Sequence, residues 1–217
     1  MHTALVSWSG GKDSCYAVYK AMQQGIQPNV LLNVLNEEGQ ISRSHGIPSS
    51  ILQAQAAAIG LPIHLIASSW QNYEQRFTQA LAQLKQQHTL THVVFGDIDL
   101  EAHKEWEEKV CANAGLTATL PIWQRNRKEL VLEMLQWGME TIIVSCNEVM
   151  GPSFLGKMLT LELVSELEAL GIDPCGENGE FHTLVVNCPL FIKAVEVTAS
   201  GAALHNNYWF TALRLKG

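Results

Sequence analysis

Apolar residues fall in short solid runs separated by longer amphipathic stretches. Runs over 3–6, 29–35, 61–67, 91–95, 117–120 and 140–146 have strand length and composition. Between them the period changes to that of a helix. A helical pattern runs from Ser14 through Cys15, Ala17, Val18 and Met22 and ends near Gly25. A second follows Pro48 over 49–59 and stops at Gly60, where proline and glycine mark the two ends. A third covers 71–87, with Tyr73, Phe77, Leu81 and Leu84 on one face. The fourth spans 100–114 before Gly115, and Asn126 caps a fifth that ends at Trp137-Gly138. Strand and helix in alternation predict a doubly wound, mostly parallel α/β sheet.

After Cys146 the rhythm changes, and Met150-Gly151-Pro152 breaks the chain. A helix over 160–170 and β segments over 184–186, 193–198 and 205–214 predict a smaller α+β domain. The division is expected near 147, giving domains 1–147 and 148–217.

Sheets of this kind bind ligands beyond the carboxyl ends of their strands. Those ends carry Ser9-Gly10-Gly11, Asn36, Gly96-Asp97 and Pro121-Ile122-Trp123. The first is the most informative. Ser9-Gly10-Gly11-Lys12-Asp13-Ser14 joins the first strand to the first helix. Two glycines let the backbone turn tightly and bring N–H groups close to an anion. The helix start adds unpaired donors and the positive end of the peptide dipole. Lys12 adds a full charge, and Ser9 and Ser14 add hydroxyls. This is not a Walker loop, in which four residues separate the glycines and Ser or Thr follows the lysine. Asp97 suits either a ligand role or the cap of the helix that follows.

Charge and cysteine usage narrow the function classes. Net charge is −7, which argues against an extended nucleic-acid surface but not against a nucleotide in a local basic pocket. No apolar run approaches the ~20 residues of a membrane helix. The first strand begins at the N-terminus, so a cytoplasmic location and no membrane partner are expected. The 5 cysteines include no C-x-x-C pair, so neither structural zinc nor a disulfide framework is expected.

A second polar cluster lies at 173–183. Asp173, Glu177, Asn178, Glu180 and His182 fall within one Gly- and Pro-interrupted loop, interleaved with Cys175 and Phe181. Such a group can hold Mg²⁺, orient an amine or serve as acid and base; a solvated turn has the same composition.

The glycine loop resembles the PP-loop of the N-type ATP pyrophosphatases, which cleave ATP between the α- and β-phosphates. Asp173-Pro174-Cys175-Gly176-Glu177-Asn178-Gly179-Glu180-Phe181-His182-Thr183 resembles the signature of the diphthine–ammonia ligase family, which pairs it with that loop. His45-Gly46-Ile47-Pro48, Phe95-Gly96-Asp97-Ile98, Pro121-Ile122-Trp123 and Cys188-Pro189-Leu190-Phe191 resemble other family segments in the same order. The resemblance covers nearly the whole chain.

It implies an adenine nucleotide α-hydrolase-like fold and an ATP-dependent amidation. A substrate carboxylate is adenylated, pyrophosphate leaves, and ammonia displaces AMP. In the best-known members the acceptor is diphthine, a modified histidine on translation elongation factor 2. By that analogy Ser9, Gly10, Gly11, Lys12, Asp13 and Ser14 hold the phosphates, with Mg²⁺ bridging them rather than bound by a protein metal site. Gly96 and Asp97 help hold the nucleotide. Lys12, Asp13, Glu177, Asn178, Glu180 and His182 are the implied catalytic set. The loop 36–46 lacks the tyrosine- and methionine-rich run of archaeal ligases, so the acceptor need not be diphthine. Three other readings stay open: a PP-loop enzyme acting on tRNA, a non-catalytic nucleotide-binding module, and a metal-dependent hydrolase without ATP. The β-rich tail offers an edge strand suited to a homodimer.

Overall fold

The structure is a computed structural model and describes residues 2–216. Strands β1 (His2–Ser7), β2 (Ile26–Leu35), β3 (Ile63–Ala67), β4 (His92–Val94) and β5 (Thr117–Thr119) form one parallel sheet in the order β3-β2-β1-β4-β5. Helices α1 (Lys12–Gln23), α2 (Ser49–Ile59), α3 (Tyr73–His88) and α4 (Glu101–Asn113) alternate with them. The chain winds outward from β1 to β3, then crosses back to β4 on the other side of β1. Strand order reverses there, and the crevice opens at the carboxyl ends of β1 and β4. The expected doubly wound sheet is observed.

Side chains alternate across the strands and feed two cores. Ala4 and Val6 of β1 pack with Ile51 and Leu52 of α2, whereas Leu5 packs with Phe77 and Leu81 of α3 and Val110 of α4. The first core continues into the rest of the chain and includes Ile143, Leu184 and Leu213. Among the described residues no helix is long and apolar enough to cross a membrane.

Helix α5 (Arg127–Gln136) follows, capped as expected by Asn126, whose Oδ1 accepts from the Glu129 N–H at 3.0 Å. Strands β6 (Glu140–Asn147), β7 (Phe181–Asn187), β8 (Val197–His205) and β9 (Tyr208–Leu215) form an antiparallel sheet in the order β7-β6-β9-β8. Between β6 and β7 lie a 3₁₀ turn (Pro152–Phe154) and helix α6 (Leu161–Ala169). The expected division near 147 falls after β6, yet β6 pairs with β7 and β9; the change of sheet comes before it. The tail also departs from expectation. Residues 193–196 are outside any strand, and 198–205 belong to β8 although the segment is rich in alanine. Asn206 and Asn207, at φ 48° and 66°, turn β8 into β9 where a continuous strand over 205–214 was expected.

The two sheets are joined through the glycine loop. Strand β7 is an edge of its own sheet, and the Val185 N–H on it donates to the Gly10 carbonyl at 3.0 Å. The parallel sheet therefore supplies the loop, and the antiparallel sheet braces it.

Candidate active site

The glycine loop is built from within. Gly10 has φ +86°, a conformation suited to glycine, and a Cβ there would lie 2.9 Å from Gln55 Oε1. Ser9 Oγ accepts from the Gly11 N–H at 3.2 Å and lies 3.0 Å from Ser14 Oγ. The Lys12 N–H donates to Thr183 Oγ1 of β7 at 3.1 Å. Gln55 is fully buried beneath the loop. Its amide donates to the carbonyls of Gly10 at 3.0 Å and Val185 at 2.7 Å, and its Oε1 accepts from Trp8 Nε1 at 3.0 Å. One α2 side chain thus ties together β1, the loop and β7.

Above the loop lies a cavity of about 620 Å³, within the ~300–1,000 Å³ of small-molecule sites. Ser9, Lys12, Asp13 and Ser14 line one side, Gly96 and Asp97 another, and Glu177 and His182 a third. Gly10 and Gly11 shape the loop without lining the cavity. Gly96 has a steric role as well, since a Cβ there would lie 2.6 Å from Ser14 N. The Lys12 ammonium is 3% exposed, donating to Asp13 Oδ2 at 2.8 Å and to the Cys175 carbonyl. Asp13 Oδ1 is buried and finds no partner among the described residues.

Asn178 and Glu180 are placed differently. Neither lines the cavity. Glu180 accepts from the N–H groups of Asp173 at 3.2 Å and Asn178 at 3.0 Å, and from Asn178 Nδ2 at 3.1 Å. Asn178 Oδ1 accepts from Arg127 at 2.9 Å. The loop uses both side chains to hold its own shape, and Glu177 is the carboxylate it delivers to the cavity.

The cavity sets its titratable groups far apart. Burial opposes the Lys12 charge, but Asp13, Cys175 and Glu177 outweigh it, and the ammonium is held above its ordinary range. Burial, then the charge of Asp13, pushes Glu177 up to about 8. Burial works against ionised Asp97 too, yet hydrogen bonds from His103 and Glu107 hold it below the usual carboxylate range. Glu107 is pushed up to about 10 by burial and by Asp97 beside it. The His45 and His182 rings lie tilted against each other with centroids 4.6 Å apart. Burial brings His45 down to about 4, with Lys12 adding. His182 falls to about 3 through burial, His45 and Lys12. Both are neutral imidazoles at neutral pH.

The two halves of this site match two family models. The diphthamide synthase N-terminal domain matches residues 1–118, and the diphthamide synthase C-terminal domain matches residues 126–215. The chain belongs to the diphthine–ammonia ligase family. A mouse diphthine–ammonia ligase is 30% identical, over 91% of this chain and 84% of its own. One from Schizosaccharomyces pombe is 26% identical over 96% of this chain but 38% of its own, and is the longer protein. Among solved structures, a predicted subunit of tRNA methyltransferase from Methanocaldococcus jannaschii superposes with a TM-score of 0.48 at 16% identity, covering 87% of this chain and 98% of that one. The family is one of carbon–nitrogen ligases, and this member brings its glycine loop and its signature loop together at one cavity, the Lys12 ammonium donating to the Cys175 carbonyl.

Several groups in the ligase cavity escape a reading of the sequence. Glu107 lies on α4 among Glu101, Glu105 and Glu108, which reads as a solvated face, yet it is 3% exposed. His103 lies one turn before it, on the same face, and its Nδ1 is 2.7 Å from Asp97 Oδ1. Tyr73, expected on the apolar face of α3, lines the cavity as well. Arg127 bridges Asp99, Asp173 and Asn178, anchoring the signature loop to α5. A capped helix starting with arginine carries no signal of that partnership.

Proposed function

We propose that this chain is an ATP-dependent ligase that adenylates an acceptor carboxylate, releases pyrophosphate, and aminates the acyl group with ammonia. The observation that supports it most is the meeting of Lys12 and Glu177, from opposite ends of the chain, in one cavity. Binding the triphosphate needs positive charge and backbone donors. The glycine loop and the α1 N-terminus offer donors, and Lys12 offers the charge. The nucleoside end has a neighbouring side pocket of about 80 Å³, lined by Asn33, Arg43 and Trp8. There Asn33 Oδ1 is buried without a partner among the described residues, an acceptor suited to an exocyclic amine.

In the first step the acceptor carboxylate oxygen attacks the α-phosphorus, and the bond to the β-phosphate oxygen breaks. Lys12 meets the charge that builds on the leaving pyrophosphate. Among the described residues no group of three or more His, Cys, Asp or Glu is placed to hold a metal ion. Asp13 Oδ1, buried and unpartnered, fits the single protein carboxylate on which a phosphate-bound Mg²⁺ typically rests. When bound, the ion would neutralise phosphate charge there.

In the second step the ammonia nitrogen attacks the acyl carbon and the bond to the AMP oxygen breaks. The nitrogen must first be unprotonated. Glu177 fits the proton acceptor because its raised pKa makes its carboxylate a stronger base than an ordinary one. Neutral His45 and His182 add no charge that would repel an ammonium ion. Diphthine, named for the relatives, is one acceptor of the required class.

The test is product analysis of α-labelled ATP incubated with protein, Mg²⁺, ammonium and a pool of candidate carboxylates. AMP and pyrophosphate in step with amide are expected. ADP and phosphate as products would rule the reading out. Lys12→Ala should reduce AMP formation by roughly 10²–10³-fold, the usual loss for one transition-state charge contact.

A further inference from the structure

Two carboxyls on the α4 side of the cavity take no part in those steps. Asp97 lies just beyond β4 and accepts from His103. Glu107 is buried against it, and the two share a hydrogen bond. With Glu107 pushed up to about 10, Asp97 carries the one carboxylate charge of the pair, and His103 meets it from its exposed side. Glu107 lines the cavity, and its Oε2 finds no donor among the described residues. An unpaired acceptor at that depth is costly, and native folds rarely keep one without a ligand or water to meet it.

The surroundings define what would meet it. Lys12 is engaged by Asp13 and the Cys175 carbonyl, and His103 is turned to Asp97 from a largely exposed position. Tyr73 and Trp106, with centroids 5.7 Å apart, line the same cavity and keep this side of it largely apolar. A divalent ion is favoured by two ionised carboxylates, and here Glu107 keeps its proton at neutral pH. A small monovalent cation bearing N–H donors needs an unpaired acceptor beside a carboxylate, and both are present.

We propose that Asp97 and Glu107 form the seat of the ammonium ion that supplies the amide nitrogen. This inference rests on the ligase reading. It places the nitrogen donor against α4. Glu107 Oε2 accepts one N–H, and Asp97 supplies the charge. Glu107 acts as a binding group, and no bond to it forms or breaks.

Thallium(I) resembles ammonium in size and charge and scatters anomalously. Crystals of the full chain soaked in it should show a peak between Glu107 Oε2 and the Asp97 carboxylate, displaced by ammonium chloride. Glu107→Gln keeps an amide donor for Asp97 and an oxygen for the ion, so it should keep the peak. Glu107→Met has similar bulk and no polar atoms, so it should lose the peak. Asp97→Asn, which removes the charge, should lose it too and serves if the methionine variant does not fold. In solution Glu107→Met should raise the ammonium concentration for half-maximal amide formation roughly tenfold or more, one decade of affinity, with the ATP requirement unchanged. An empty seat in the wild type, a peak that survives in Glu107→Met, or manganese(II) in place of thallium would overturn the proposal. Failure to form AMP with any carboxylate would sink the ligase reading alone, because the soak reports on the seat without turnover.

Discussion

Glu177 and Glu180 occupy one short loop and do different work. Glu177 faces the cavity with its pKa raised to about 8. Its carboxylate form is therefore scarce at neutral pH and grows as pH rises through about 8. If that form takes the ammonium proton, amide formation should climb through the same range and then level off. Glu177→Gln should lower amide formation by roughly 10²–10⁴-fold and remove that limb of the profile. A glutamine variant with the same limb would assign the proton acceptor elsewhere. Glu180 accepts three hydrogen bonds within its own loop. Glu180→Ala should cost about 1–3 kcal/mol of stability, read from urea unfolding, because donors are left unpaired. Loss of turnover with unchanged stability would contradict that structural role. The sequence marks this loop as chemical but not which acid reaches the cavity. Turn geometry decides that, and the spacing of side chains in a Gly-rich loop does not encode it. Glu107 was hidden for a related reason: among other glutamates on α4, its burial depends on Asp97 and the α3 aromatics, which are distant in sequence.

At the scale of elements, strands and helices of the parallel sheet were legible because each follows from local periodicity and its glycine or proline stops. Partnership was not. Strand β6 reads like every other apolar run, and only its pairing with β7 and β9 assigns it to the antiparallel sheet. Strand β8 has exposed, small side chains and is held by its ladder to β9, so it carries little strand signal of its own. The docking of β7 on the glycine loop was equally invisible, although it organises the site. Gln55 bears that contact with three hydrogen bonds in a fully buried position. Gln55→Leu keeps the bulk but takes the partner from the Trp8 indole N–H and the Val185 carbonyl, while the Gly10 carbonyl keeps the Val185 N–H. It should cost about 2 kcal/mol or more, each buried orphan group adding about 1–3 kcal/mol. ATP affinity should fall with it, since the loop loses its brace. Calorimetry of unfolding and of nucleotide binding on the same variant would test both. Intact ATP affinity in a destabilised variant would mean that the loop is rigid without β7.

For the whole molecule, the neutral histidine pair couples the site to global stability. His45 reaches from the loop after β2 and donates its Nδ1–H to the Thr183 carbonyl, 2.9 Å away, and His182 lies on β7. The contact therefore spans the junction of the two sheets. Unfolded histidines titrate near 6.5, whereas His45 and His182 fall to about 4 and about 3 in the fold. With both folded values depressed, the unfolded chain binds more protons below pH 6.5. The stability these imidazoles contribute is present above that pH and is lost progressively as pH falls toward the folded values. Glu107 and Glu177 act with the opposite sign. Raised from 4.5 to about 10 and about 8, they favour the fold at low pH and weaken it as pH climbs through those values. The acid limb of a stability–pH curve therefore measures the histidines against these two carboxyls and against whatever ordinary acids lose their ion pairs. Replacing both histidines by glutamine removes one side of that balance. The double variant should unfold at a clearly higher urea concentration at pH 5 than at pH 7, because the two raised carboxyls then act unopposed, whereas in the parent the histidines offset that gain. An unchanged difference in the double variant would mean that the pair titrates normally and that the cavity around it is wet.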